Sequence, residues 1–204
     1  MDRNNKPVAL FDLDGTLVKY QEALERDLEK LRSPYEPVYT IRQKHKDYIG
    51  ERMELIKGRS SWWVNLEKLD LGFDIYNMAM DLGYRIVVLT QGPKINSEAW
   101  KGKLIWCRNN LEPDTDVIIT RDKGLVYGKV LVDDYPEYAE AWLKHRPRGL
   151  VIMPHHPWNR SFKHKQVIKY SGKESEKEEI NARLKVIINK FNKDNIINDN
   201  EYNE

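Results

Sequence analysis

The sequence predicts an α/β fold of three layers: a parallel sheet, helices on both of its faces, and a small helical cap inserted after the first strand. Two observations carry this. From residue 72 onward, short apolar runs alternate with helix-patterned segments, as successive βαβ units require. Before that point, the first apolar run is followed by a helical stretch too long for a plain crossover, which marks an insertion with structure of its own.

Each element has a local reason. PVALFDL (7–13) is short, apolar and bounded by Pro and Asp-Gly, so it reads as a buried strand. YQEALERDLEKLR (20–32) is rich in helix formers with apolar residues at helical spacing, and Pro34 and Pro37 end it. Residues 41–57 are charged and helical in pattern, and SSWWVNL follows. FDIYNMAMDLG (73–83) is a helix closed by Gly83, and YRIVVLT (84–90) is a strong strand. INSEAWKGKLIWCRNNL (95–111) reads as helix, DVIIT (116–120) and KVLVD (129–133) as strands, YPEYAEAWLKH (135–145) as helix and GLVIMP (149–154) as the fifth strand. Residues 173–192 place Ile180, Leu184, Ile187, Ile188 and Phe191 on one stripe, as a helix packed on a surface requires. The expected division is a core of 1–18 and 70–172, a cap of 19–69, a terminal helix of 173–192 and a polar, flexible tail of 193–204.

Bulk properties narrow the function classes. A chain of 204 residues buries a real core without staples. Its 34 Lys and Arg nearly balance its 32 Asp and Glu, so neither a nucleic-acid groove nor an anionic membrane surface is expected as partner. No apolar run approaches the ~20 residues of a membrane span, and the N-terminus MDRNNKPVAL lacks the apolar core of a signal peptide. The single cysteine, Cys107, excludes an intrachain disulfide and fits a small buried hydrophobe in a reducing cytosol. A cytoplasmic protein is the expectation.

In an open parallel sheet the ligand site lies beyond the carboxyl ends of the strands. The first strand delivers Asp12 and Asp14 there. The second delivers Thr90 and Gln91, the third Thr120 with Lys123 just beyond, and the fourth Asp133 and Asp134. Four carboxylates that close repel unless a counter-charge holds them. Mg²⁺ fits, because it takes oxygen ligands, one or two carboxylates together with substrate phosphate. An Asp-Gly pair by itself signals only a turn. An EF-hand is ruled out, because the register puts Leu10 and Gln21 at the first and closing ligand positions. The second acidic pair, with Thr90 and Lys123 between, favours one shared site. Trp62 and Trp63 lie in the inserted segment, and adjacent residues cannot both face one side. Each is either cap core or a flat wall for a nucleobase, and the aromatics serve equally well at a homodimer interface. PHHPWNR (154–160) is a loop near the site, with no further His at ligand spacing.

These residues resemble the four motifs of the haloacid dehalogenase (HAD) superfamily of phosphotransferases: DLDGT at 12–16, Thr90 after VVL, Lys123, and the acidic pair 133–134. The likeness covers about residues 7–154 and implies a Rossmann-like, HAD-type core. A narrower likeness, over 84–137, is to the 5'(3')-deoxyribonucleotidases, in which a TRDK run also precedes the acidic pair. Two departures stand out. TQGP (90–93) is one residue longer than the usual Thr-Ser-Pro, and Tyr135 stands where an arginine often follows the acidic pair. The resemblance implies a small phosphorylated substrate, a nucleotide for preference, with a sugar phosphate or a nucleic-acid end phosphate as alternatives. Asp12 is then the nucleophile, Asp14 the general acid and base, Lys123 the catalytic cation, and Thr90 and Gln91 phosphate-side donors. The metal falls to Asp12, the Asp14 carbonyl and Asp134. Asp133 either ligates, acts through water, or orients Lys123.

Overall fold

The computed structural model describes residues 5–39 and 47–201. Six parallel strands form one sheet: β1 (Val8–Phe11), β2 (Arg85–Thr90), β3 (Asp116–Ile119), β4 (Val130–Val132), β5 (Leu150–Pro154) and β6 (Val167–Tyr170). Their order across the sheet is β3-β2-β1-β4-β5-β6, so the chain winds outward in both directions from β1. This is the doubly wound arrangement of Rossmann-type folds.

Among the described residues, seven helices accompany the strands: α1 (Tyr20–Lys30), α2 (Asp47–Lys57), α3 (Ser60–Val64), α4 (Asp70–Asp81), α5 (Ser97–Asn110), α6 (Pro136–His145) and α7 (Glu174–Glu201). The part of the expected 41–57 helix before residue 47 lies outside the described residues. The inner strands β1, β2, β4 and β5 are buried on both faces, as a covered parallel sheet must be, while the edge strands β3 and β6 are half-buried. In β1, Ala9 and Phe11 face the layer that includes Trp106, Ile180 and Leu184, while Leu10 faces the layer holding Trp142 and Leu143.

Local chemistry fixes the ends. Gly83, at φ +85°, closes α4: its N–H donates to Met80 O, and the Tyr84 N–H donates to Ala79 O. Asn96 caps α5 by accepting from the N–H groups of Glu98 and Ala99. Pro136 opens α6 at its first position.

The insertion after β1 contains α1 to α3. Its two stems run side by side, with Val18 bridged to Lys68, and Leu69 N–H donating to Leu17 O at 2.9 Å. Gly72, in the first turn of α4, seats this junction: a Cβ there would stand 1.7 Å from the Thr16 carbonyl oxygen.

Two elements differ from expectation. β6 was not expected, because in KHKQVIKYSG only Ile168 and Tyr170 turn inward, too few for an apolar run. The terminal helix continues beyond 192 to Glu201, since its polar end contains neither Pro nor Gly to stop it.

Candidate active site

β1 and β4 are neighbours where the strand order reverses, so their carboxyl ends open one crevice. The ladder continues one residue past β1, with the Asp12 N–H donating to Val132 O at 2.8 Å. Asp12 is thereby placed beside Asp133 and Asp134. Carboxylate oxygens of these three buried residues lie within 4.8 Å of one another. Gly15 lets them approach. Its φ of +77° turns the chain, and a Cβ there would stand 2.8 Å from Asp134 Oδ2.

Lys123 neutralises part of this charge. It opens a 3-10 turn after β3 and is buried, with Nζ 2.8 Å from Asp12 Oδ1 and 2.7 Å from Asp133 Oδ2. Burial alone would lower its pKa, but the charges of Asp12 and Asp133 outweigh burial and hold it above its ordinary value. Asp133 also accepts from the Tyr135 N–H at 2.9 Å. Both of its oxygens are therefore engaged within the protein, as in a group that orients Lys123.

Asp134 is held differently. Its Oδ2 accepts from Trp158 Nε1 at 2.8 Å, and Thr16 Oγ1 donates to Oδ1 at 3.5 Å. Trp158 is itself fixed by stacking on His156, with ring centres 4.1 Å apart. His156 Nε2 lies 2.7 Å from Gly15 O; a carbonyl only accepts, so Nε2 carries the proton. Asn159 donates to Asp134 O and Pro154 O, which ties the 154–160 loop to the acidic pair. The loop expected near the site thus braces the acidic pair.

The carboxylates outnumber the cations among them. Burial, with Asp133 and Asp12 alongside, pushes Asp134 well above its ordinary pKa, and burial pushes Asp133 up to about 6. A hard divalent cation among oxygen ligands is the charge that such a set accepts.

The other flank of β1 carries a second buried lysine, Lys103 on α5. Its Nζ donates to Asp14 Oδ2 at 2.6 Å, to Gln91 O at 2.7 Å and to Thr90 Oγ1 at 3.0 Å. Burial raises the Asp14 carboxyl, and the Lys103 charge opposes this without cancelling it.

A cavity of about 510 Å³ opens over these groups. Asp12, Asp14, Gln91, Lys123 and Asp134 line it, together with Tyr20, Tyr135 and Tyr138. Tyr138 donates its hydroxyl to Gln91 Oε1 and passes its ring 4.5 Å from Lys123 Nζ. A smaller adjoining cavity of about 240 Å³ runs under the inserted helices, with Asp14, Tyr20, Trp63, Asn96 and Lys103 in its walls. Thr90 and Asp133 are fully buried just behind the main cavity. Trp63 is buried and donates to Lys57 O. Trp62 donates to Asp27 Oδ2 and lines neither cavity; it faces a third, on the cap flank beside Arg26 and Arg59. Both indoles pack around Tyr20, the ring that reaches the main cavity. Burial pushes the Cys107 thiol up to about 12, as befits an inert core residue.

The sequence reading missed Lys103, Tyr20, Tyr138 and the Trp158–Asn159 support. Only Lys103 had a usable signal. It shares the apolar face of α5 with Ala99, Trp106 and Cys107, where a lysine must find partners.

Sheet order and carboxylate edge together define the HAD class of phosphatases. Solved structures agree on the fold. A haloacid dehalogenase-like hydrolase from Xanthomonas campestris superposes with a TM-score of 0.52 at 14% identity, covering 93% of this chain and 95% of that one. A "putative beta-phosphoglucomutase" from Thermotoga maritima does so with a TM-score of 0.51 at 17% identity, covering 88% and 98%. The family is narrower. Residues 6–184 match the family described as 5' nucleotidase, deoxy (pyrimidine), cytosolic type C, and the chain belongs to it. A similar relative is the "Putative 5'(3')-deoxyribonucleotidase" of Bordetella pertussis, 26% identical over 160 residues, covering 74% of this chain and 84% of the relative. Among the described residues, no helix is long and apolar enough to cross a membrane.

Proposed function

We propose that this phosphatase is a Mg²⁺-dependent 5'-(deoxy)ribonucleotidase that works through an aspartyl-phosphate on Asp12. One observation carries the chemistry: Asp12 is held by Lys123 beside a buried carboxylate pair, with Asp14 one residue on, in the same cavity. Mg²⁺ would be held by Asp12, the Asp14 carbonyl and Asp134, and when bound it supplies charge neutralisation for the phosphoryl oxygens. Asp133 is assigned to Lys123 rather than to the metal, because it is fully buried behind the cavity with Lys123 and the Tyr135 N–H on its oxygens, whereas Asp134 lines the cavity.

In the first step a carboxylate oxygen of Asp12 attacks phosphorus, and the bond to the ester oxygen breaks. Asp14 gives its proton to the departing alkoxide. In the second step Asp14 takes a proton from water as that oxygen attacks the same phosphorus, which releases inorganic phosphate and restores Asp12. Lys123, with one N–H beyond its two carboxylate contacts, faces the cavity and offsets the phosphoryl charge.

Family membership and the name of the Bordetella relative support a nucleotide substrate. The main cavity also falls within the ~300–1,000 Å³ common for small-ligand sites, and Tyr20, Tyr135 and Tyr138 offer ring faces for a base. The test is phosphate release from 5'- and 3'-mononucleotides and sugar phosphates, with Mg²⁺ and with EDTA. Metal-dependent release that favours nucleotides is expected. Metal-dependent release without that preference would leave a broader phosphatase, and release in EDTA would remove the metal.

A further inference from the structure

Lys103 is a second fully buried lysine at a site whose phosphoryl chemistry is already served by Lys123. Burying an ammonium costs several kcal/mol unless all its donors are matched. Here they are matched completely. An ammonium has three N–H groups, and Lys103 gives one each to Asp14 Oδ2, Gln91 O and Thr90 Oγ1. No donor remains for a phosphate. Asp14 is left asymmetric: Oδ2 is engaged by Lys103, while Oδ1 is buried without a hydrogen-bond partner among the described residues.

We propose that Lys103 is a positioning residue for the leaving-group side of the reaction, anchoring Asp14 by one oxygen and so fixing the direction in which its carboxyl hands on the proton. The inference rests on Asp14 acting as the general acid. Asp14 stands at the junction of the two cavities, in the wall of each, so a leaving group on either side comes up to its carboxyl. The anchor is tied to the cap as well. Lys103 Nζ lies 4.8 Å from the centre of the Trp63 ring. At the preceding residue, Gly102, a Cβ would stand 2.6 Å from both Ser60 O and Trp63 Cβ, so α5 presses directly on α3. The lysine that orients the acid is therefore set by the same packing that seats the cap.

The leaving group supplies the test. An alkyl phosphate such as a 5'-mononucleotide needs a proton on its departing oxygen, whereas p-nitrophenyl phosphate releases a phenolate that leaves without one. Lys103→Met and Lys103→Arg would be compared with wild type on both substrates with Mg²⁺. The readout is kcat/KM, which reports steps through formation of the aspartyl-phosphate. General acid catalysis contributes ~10²–10⁴-fold, so Lys103→Met should lose about 10²-fold on the nucleotide and less than about tenfold on the aryl ester. Lys103→Arg keeps the charge but not the three-way geometry. It should show the same imbalance to a lesser degree, and it decides the matter if the methionine variant does not fold. Equal losses on the two substrates in an active enzyme would overturn the inference alone. A wild-type chain that releases phosphate from neither substrate would overturn the proposed function, and the inference with it.

Discussion

The two flanks of β1 each present a buried lysine to an aspartate, and they do so for different ends. On the β4 side, Lys123 uses two donors on Asp12 and Asp133 and turns toward the cavity. On the β2 side, Lys103 uses all three donors on protein oxygens and lines the smaller cavity rather than the main one. The residue type and the burial are the same, so neither settles the role. What separates the two is how many donors remain after the protein is satisfied, a count that needs coordinates.

The contrast is broken most directly from the β4 side. Lys123→Met removes charge from the phosphoryl group itself, which both ester types share. It should lower kcat/KM by about 10²–10³-fold on 5'-mononucleotides and on p-nitrophenyl phosphate alike. A loss confined to nucleotides would merge the two lysines into one role. Asp12→Asn should lose more still, with no aspartyl-phosphate trapped from either substrate.

A smaller effect is expected from the loop that braces Asp134. Trp158→Phe keeps a ring to stack on His156 but deletes the N–H that holds Asp134 Oδ2. Groups that orient a metal ligand are worth about 10–100-fold in affinity. Calorimetric titration of the substrate-free protein should therefore show Mg²⁺ binding weakened by about tenfold or more. Unchanged affinity would mean that Asp134 is placed by its backbone alone, through Asn159.

The acidic cluster also predicts how metal and pH combine. Asp133 holds its proton more tightly folded than unfolded. Its contribution to stability is thus complete below the ordinary carboxylate pKa of about 4 and is lost as pH rises through about 6. Asp134 shifts in the same direction. Metal-free protein should lose stability across that window, and Mg²⁺, which binds the ionised form, should restore it. The rise in Tm on adding Mg²⁺ should accordingly grow between pH 4 and pH 7. A rise independent of pH would place the cation elsewhere.

Much of this was legible in the chain. Five of six strands, the insertion and the four strand-end motifs follow from apolar runs that stop on acids or hydroxyls, because a parallel sheet sends all such stops to one edge. β6 escaped because its inward residues, Ile168 and Tyr170, alternate with charge. Trp158 and Asn159 escaped because their partner, Asp134, is far off in sequence and the contacts are long-range hydrogen bonds with no periodic trace. The tryptophan pair shows a further limit. Adjacency implied that the two indoles diverge, but not that Tyr20 would stand between them and the main cavity, with Trp63 reaching only the smaller one.

That last point yields the smallest expected effect. Tyr20 lines both cavities, whereas Trp62 is turned to the outside of the cap and bound to Asp27. Base–aromatic stacking is worth ~1–3 kcal/mol, and partial overlap sits at the lower end, about fivefold in KM. Tyr20→Leu should raise KM for mononucleotides by that amount and leave KM for a sugar phosphate unchanged, whereas Trp62→Leu should move neither. If Trp62→Leu instead raises nucleotide KM, the third cavity communicates with the substrate. The cap would then read the base through its outer face, and the division of labour between the two flanks of β1 would extend to the cap itself.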